Sequence, residues 1–274
     1  MCKFIIACLI SLSALSLSSC TQKKVATSVV YMDFPQTIEL KARVQPLDTA
    51  LFRYPFRVRV QGDKAVVMDL HGTDYFCHVF HYPGFRYLAS FGKRGEAPEE
   101  MLSAENVRWN GDFLWMLDAG KSEINRYGFI SSGGSLSRQE TVRLDEEMFR
   151  PLDFVQYDDT TFVIPDYSGD SRFCWVDAKG RLLRRTGIIP TANEDALENA
   201  RPALAQAWRS FIDYNPRNGV LAAVTQLGEV LEVFNLKDST HVVRIGPHGE
   251  PEFKISQGYG IPTGIMGFSD VQVA

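Results

Sequence analysis

The sequence predicts an all-β domain of the propeller type, built from four-stranded blades. Three observations carry that expectation. Short runs rich in Val, Ile, Phe, Tyr and Trp recur between Gly, Asp, Asn and Pro turns, which is how strands read. Helical periodicity is nearly absent. A unit of sequence also repeats at a spacing that fits one blade.

The clearest strand candidates are 57–60, 65–70, 75–81, 113–117, 161–164, 173–176, 220–225 and 230–235. The repeat is plainest where Val58-Arg59-Val60, Gly62-Asp63 and Met68-Asp69 return as Val107-Arg108-Trp109, Gly111-Asp112 and Leu117-Asp118, a constant offset without a gap. Weaker copies begin near Phe154 and Ile212, and a further start stands at Asp270-Val271. Phe76-Cys77 after Asp69 is echoed by Phe173-Cys174 after Asp166. A sandwich or jelly roll would not repeat in this way. Counted along the chain, the units open near residues 57, 106, 153, 211 and 269, so the expectation is four blades and the first strand of a fifth. On this count the chain is an incomplete six-bladed ring, since 271–274 alternates apolar and polar residues without a closing turn. The segment 28–34 reads as a closing strand whose partner blade is missing, or as the closure of a four-bladed ring.

The one helical pattern is 193–210, where Ala196, Leu197, Ala200, Leu204, Ala207 and Trp208 share a face and Pro202 is expected to break or kink the helix. It reads as an insertion that covers an edge or rim. The stretch 131–135 reads as a hairpin tip, and Gly258-Tyr259-Gly260 with Gly264 reads as an inter-blade loop, because Pro262 interrupts any phosphate-binding pattern and no helix follows.

Upstream of the domain, Lys3 precedes an apolar run that ends at Leu17-Ser18-Ser19-Cys20. The run is shorter than the roughly 20 residues of a spanning helix, and polar residues follow it, so it reads as a secretory signal. The tetrad resembles the bacterial lipobox, in which Cys20 becomes the lipidated N-terminus. The expected organisation is a signal peptide at 1–19, a lipidated tether at 20–27 and the propeller at 28–274. Two or more acyl chains on one residue anchor stably, whereas one is marginal. Membrane attachment through this lipid is the first partner expected.

Cleavage after residue 19 removes one lysine and leaves 28 basic against 33 acidic residues, a formal charge of −5. A nucleic-acid binder clusters Lys and Arg to displace counterions; here the basic residues are scattered through an acidic chain, so no nucleic-acid partner is expected. Of five cysteines, Cys2 and Cys8 leave with the signal and Cys20 carries lipid. Cys77 and Cys174 remain, on equivalent strands of the first and third units, too far apart for a bridge.

The blade-linking residues Phe91-Gly92-Lys93-Arg94-Gly95-Glu96 and Ile245-Gly246-Pro247-His248-Gly249-Glu250, each followed by Pro and Glu, resemble those of NHL-type six-bladed propellers. With the lipobox and Gly267-Phe268-Ser269-Asp270-Val271, the mature chain is similar to the TolB-like six-bladed propeller lipoproteins of Bacteroidetes. That resemblance implies a protein of the cell envelope, lipid-anchored and facing either the periplasm or the exterior, most naturally at the outer membrane. It implies no assigned reaction.

The catalytic motifs are missing. His71, His78, His81, His241 and His248 have no metalloprotease spacing, no Cys-x-x-Cys occurs, and no Gly-x-Ser-x-Gly elbow is present. His78 and His81 fall on opposite faces of a regular strand. The candidate site is instead a set of polar residues near the start of successive innermost strands, Asn106, Asp153, Asp213 and Asp270, which would converge on the channel. Sugar-lactonase-type propellers hold a divalent cation on such a ring, and that cation is the one cofactor in question. Two features oppose it: Asp and Asn also serve the backbone at turns, and Arg57 stands at the matching place in the first unit. The expectation is a non-enzymatic binding or scaffold propeller whose ligand is a glycan, peptide or protein. The alternative is a metal-dependent enzyme of the lactonase or NHL-lyase kind.

Overall fold

The computed structural model describes residues 29–32, 36–47, 52–130, 134–257 and 259–274. The signal segment, Cys20 and residues 131–133 of the hairpin tip lie outside them. The chain begins with β1 (Val29–Val30) and continues into four antiparallel four-stranded sheets. The first is β2 (Pro55–Gln61), β3 (Lys64–Asp69), β4 (Tyr75–His81) and β5 (Arg86–Lys93), and the second is β6 (Ala104–Asn110), β7 (Phe113–Asp118), β8 (Glu123–Phe129) and β9 (Leu136–Arg143). The third is β10 (Val155–Asp158), β11 (Thr161–Pro165), β12 (Phe173–Asp177) and β13 (Leu182–Thr186). Two short helices, α1 (Glu194–Asn199) and α2 (Arg201–Ala207), precede the fourth, β14 (Ser210–Asn215), β15 (Val220–Thr225), β16 (Val230–Asn235) and β17 (Thr240–Ile245). In every blade the strands follow one another in space as in sequence, so the repeat read from the residues is the blade.

The second strands show why these segments read as apolar runs rather than as alternating patterns. In β3, β7 and β15 every residue after the first is buried, because both sheet faces pack against neighbours. The cores are the layers between blades. Met68, Phe76 and Phe91 meet Met101, Val107 and Met116 between the first and second. Trp115 and Ile124 meet Phe154 and Phe162 between the second and third, and Val163 and Trp175 meet Ile212 and Leu221 between the third and fourth. Burying such side chains contributes roughly 1.5–3 kcal/mol each before the entropic cost of ordering the chain.

The repeated aspartate ending the second strand is a backbone clamp. Asp69 accepts from the Arg53 and Tyr54 amides at 2.6 and 2.8 Å, and Asp118 from those of Leu102 and Ser103 at 2.9 and 3.0 Å. Each fixes the chain just ahead of the innermost strand of its own blade. Blade four has Thr225 at that place, whose hydroxyl accepts from the Val230 amide at 3.2 Å.

Two expectations are corrected. Val29 and Val30 pair in parallel with Arg244 and Ile245, and the Tyr31 amide bonds the Ile245 carbonyl at 3.0 Å, so this segment has its partner in β17 of the fourth blade. Residues around Gly260 form a hairpin, β18 (Phe253–Ser256) and β19 (Tyr259–Pro262), rather than a plain loop. Pro262 is tolerated because β19 has only β18 beside it, leaving its nitrogen side without a ladder to complete. The break expected at Pro202 is present: the helical stretch divides in two, and Pro202 sits in the first turn of α2, where its missing N–H costs nothing. The break falls at Ala200, after α1 is capped by the Asn193 side chain accepting from the Ala196 amide at 3.0 Å. The helices place Ala196, Leu204, Ala205 and Trp208 against Val230 and Val243, on the same face of blade four that Ile212, Leu221 and Ala223 turn towards blade three.

Candidate functional site

The innermost strands β2, β6, β10 and β14 stand side by side around a channel, joined by polar contacts at each step. The Trp109 indole donates to the Arg59 carbonyl at 3.2 Å, Asn106 donates to Asp153, and the Ile212 amide donates to Asp153 at 2.9 Å. After β19 the chain returns to the channel. The Gly267 and Phe268 amides bond the Gln226 and Thr225 carbonyls, and the Val273 amide bonds Asp213 at 2.8 Å. Residues 267–274 therefore run along β14 at the place where a fifth innermost strand would stand.

The four polar residues singled out in the sequence do converge. Asn106 and Asp153 are buried, and both also accept from the next amide in the chain, those of Val107 and Phe154, at 2.8 and 2.7 Å. The backbone role and the channel role thus coexist in the same side chains. Their other partners are arginines. Arg108 donates to Asp213 at 2.6 Å, to Asp153 at 3.2 Å and to the Ile212 carbonyl. Arg59 grips both oxygens of Asp270, with Nη2 at 2.8 Å from Oδ1. Burial pushes the Asp270 carboxyl up, but the hydrogen bond from Arg59 and the charge of Arg57 outweigh it and hold it below the usual range.

Arg57 differs from the other two. Its side chain is 1% exposed, its closest carboxylate oxygen is Asp270 Oδ1 at 3.6 Å, and its three guanidinium nitrogens donate no hydrogen bond among the described residues. It stacks instead on Phe56 and Phe211, 5.2 and 4.8 Å from the ring centres. Burial lowers its pKa, opposed by Asp153 and Asp270.

At the ends of the innermost strands the channel opens into a cavity of about 390 Å³. Arg59, Arg108 and Asp213 line it, with Trp109, Tyr157 and Tyr214 contributed by successive blades. The profile of the TolB-like 6-blade propeller-like family matches residues 33–274 of this sequence. The chain belongs to that family.

In overall shape this TolB-like propeller is similar to a Bacteroides fragilis protein proposed to be exported, with 10% identity and a TM-score of 0.45 over 79% of this chain and 80% of that one. It is also similar to a Bacteroides uniformis protein proposed to be a 6-phosphogluconolactonase, with 12% identity and a TM-score of 0.46 over 74% of this chain and 60% of the other. A member of the DUF4221 family from Bacteroides vulgatus gives 9% identity and a TM-score of 0.45 over 78% and 61%. The chain thus spans about three fifths of the length of these last two. No match was found among curated protein sequences.

The channel of this TolB-like propeller does not fit a divalent cation. A cation site needs several oxygens free to point at one centre, whereas Asp153, Asp213 and Asp270 already bond guanidinium groups. No group of three or more His, Cys, Asp or Glu side chains gathers with metal-binding geometry among the described residues. The histidines are dispersed: His78 Nδ1 meets Ser90 Oγ at 2.7 Å, His241 stacks on Phe234 and His248 pairs with Glu229. Arg59 and Arg108 are the residues that sequence reasoning missed. Their signal was the repeat itself, which carries an arginine at the same place in the first two units.

Proposed function

We propose that this TolB-like propeller is a non-enzymatic binding protein of the cell envelope, exported through its signal segment and held to the outer membrane by lipid on Cys20. Its channel mouth presents a site to a glycan, peptide or protein ligand. One observation carries this reading: the carboxylates that could serve a metal are bound to arginines, while the channel opens into an aromatic-lined cavity of about 390 Å³. That volume lies in the range typical of ligand sites, roughly 300–1,000 Å³.

Thermal denaturation with EDTA, and with added calcium, magnesium or zinc, tests the reading. A bound metal stabilises the folded state by mass action. The expected result is an unchanged melting temperature under all conditions. A rise of several degrees with one cation, abolished in Asp213→Asn, would restore the lactonase or lyase alternative. The anchor is tested separately by fractionation. Cys20→Ala is expected to move the exported protein from membrane to soluble fraction, and its retention in the membrane would overturn the lipid anchor.

A further inference from the structure

We infer that the channel-mouth cavity takes a short, uncharged oligosaccharide; this rests on the reading above that the cavity is the ligand site. Three aromatic side chains wall the cavity. Trp109, Tyr157 and Tyr214 come from β6, β10 and β14, and each is half-buried, with part of its ring packed and part bordering the cavity. Their positions are fixed before any ligand arrives. Tyr157 lies between Trp175 and Tyr214, with ring centres 5.1 and 5.3 Å away, and Trp109 is tied by its indole N–H to the Arg59 carbonyl. A preformed aromatic wall offers flat apolar area with little ordering cost on binding.

Charge then narrows the ligand. Arg59 and Arg108 would attract an anion, but Asp270, Asp213 and Asp153 already neutralise them. Asp158 and Asp159 stand exposed among the lining residues, so an anion approaching the floor passes two further carboxylates. At the floor Arg57, Arg59 and Arg108 are matched by Asp153, Asp213 and Asp270, so a cation meets no net charge there and is drawn only by the exposed rim carboxylates, which solvent and salt screen. Neither sign of charge is favoured across the whole cavity. A purely apolar ligand fails for a different reason: it would displace water from the side-chain amides of Gln156 and Gln272, of which only the Gln156 oxygen, accepting from Asn110, has a partner among the described residues.

A sugar answers all of these requirements. Its ring faces present C–H groups to an aromatic wall, its edges carry hydroxyls that both donate and accept, and it has no net charge. The lining supplies amide donors at Asn110, Gln156 and Gln272 and a carboxylate acceptor at Asp158. The cavity is open at the channel mouth, so a chain of sugars can continue outward.

Isothermal titration and tryptophan fluorescence on the intact protein test this with three probe classes. These are neutral gluco-, manno-, galacto- and N-acetylglucosamine oligosaccharides, an oligouronate, and trilysine. A neutral oligosaccharide is expected to bind. Trp109→Ala and Tyr214→Ala should each weaken it at least tenfold, with the melting temperature followed to confirm folding. Asp159→Lys, at an exposed rim position, is expected to change neutral-sugar affinity less than threefold. Binding of oligouronate or trilysine without any neutral sugar overturns the sugar assignment and leaves the binding function standing. Silence from all three classes counts against both.

Discussion

Arg108 reaches across the channel to Asp213, its Nη1 2.6 Å from the carboxylate, and so ties the second blade to the fourth. The same guanidinium bonds Asp153 ahead of β10, which makes one side chain the junction of three blades. Removing it should be costly because Asp153 is buried and would lose the guanidinium that bonds it. Arg108→Met is expected to lower stability by about 3–5 kcal/mol, the usual cost of breaking a buried pair from one side.

Arg57→Met is expected to behave oppositely. Arg57 carries three buried nitrogens without acceptors, so it already bears a desolvation penalty of about 1–3 kcal/mol that methionine would relieve. Methionine also keeps the contact with Phe56 and Phe211. Urea denaturation should place Arg57→Met within about 1 kcal/mol of the parent or above it. A loss as large as that of Arg108→Met would mean that the charge of Arg57, opposite Asp153 and Asp270, outweighs its missing hydrogen bonds.

Acid should lower the stability of the fold in two stages. Burial lowers the His78 pKa below its ordinary 6.5, more than Asp69 raises it. Burial raises Glu232, but the Arg172 guanidinium at 2.7 Å outweighs it and holds that carboxyl below its ordinary value; Asp270 is held down in the same sense by Arg59. In all three groups the folded pKa lies below the unfolded one, so each contribution is complete above the unfolded value and is lost as pH falls. His78 begins to act below about pH 6.5, and the carboxylates below about 4.5. Glu105 acts in reverse, since burial raises its pKa, and it disfavours folding as pH rises. His78→Gln, which keeps a partner for Ser90, is expected to remove the first stage and leave the second. An unchanged pH profile in that variant would assign the first stage elsewhere.

The blades were legible in the residues because burial on both sheet faces writes itself as continuous apolar runs, as in Val66-Val67-Met68 and Leu114-Trp115-Met116-Leu117. The hairpin of β18 and β19 was hidden by the glycines and Pro262, which in most contexts mark a loop. The pairing of Val29 and Val30 with blade four was legible only as the alternative to a missing partner blade, since a two-residue parallel pairing with β17 leaves no periodic trace. The channel acids were legible through their repeated position. Their arginine partners were harder, because Val-Arg-Val alternation looks like an ordinary half-exposed strand. The grip of Arg59 on Asp270 spans 211 residues, a distance at which no local pattern speaks.

Cys77 and Cys174 should stay reduced and unreactive while the protein is folded. They lie on β4 and β12, the third strands of blades one and three, with blade two between them, and both are free and buried. Burial pushes the Cys174 thiol up to about 12 and Cys77 well above its usual range, so neither supplies thiolate near neutral pH. Iodoacetamide is expected to label both only in denaturant. Rapid labelling of the native protein, or a Cys77–Cys174 bridge in non-reducing mass spectrometry, would contradict this placement of the blades.

Blades one and two share an aspartate clamp, Asp69 in the first and Asp118 in the second. Asp118 is fully buried and accepts not only from Leu102 and Ser103 but also from the Gly120 and Lys121 amides, at 3.0 and 3.2 Å. The first pair belongs to the segment arriving from blade one and the second to the turn leaving β7, so a single carboxylate fixes both ends of the β6–β7 unit. Asp118→Ala leaves several backbone donors without a partner at a site closed to water, and each buried orphan costs about 1–3 kcal/mol. Asp118→Asn is almost the same size and keeps one carbonyl oxygen as acceptor, but its amide nitrogen faces donors where it needs acceptors. The expected order of melting temperature is parent, then Asn, then Ala. Hydrogen exchange should locate the damage, with Leu102, Ser103, Gly120 and Lys121 losing protection ahead of the β7 interior. Equal melting temperatures for Ala and Asn would show that shape at this turn, rather than acceptor capacity, sets the cost.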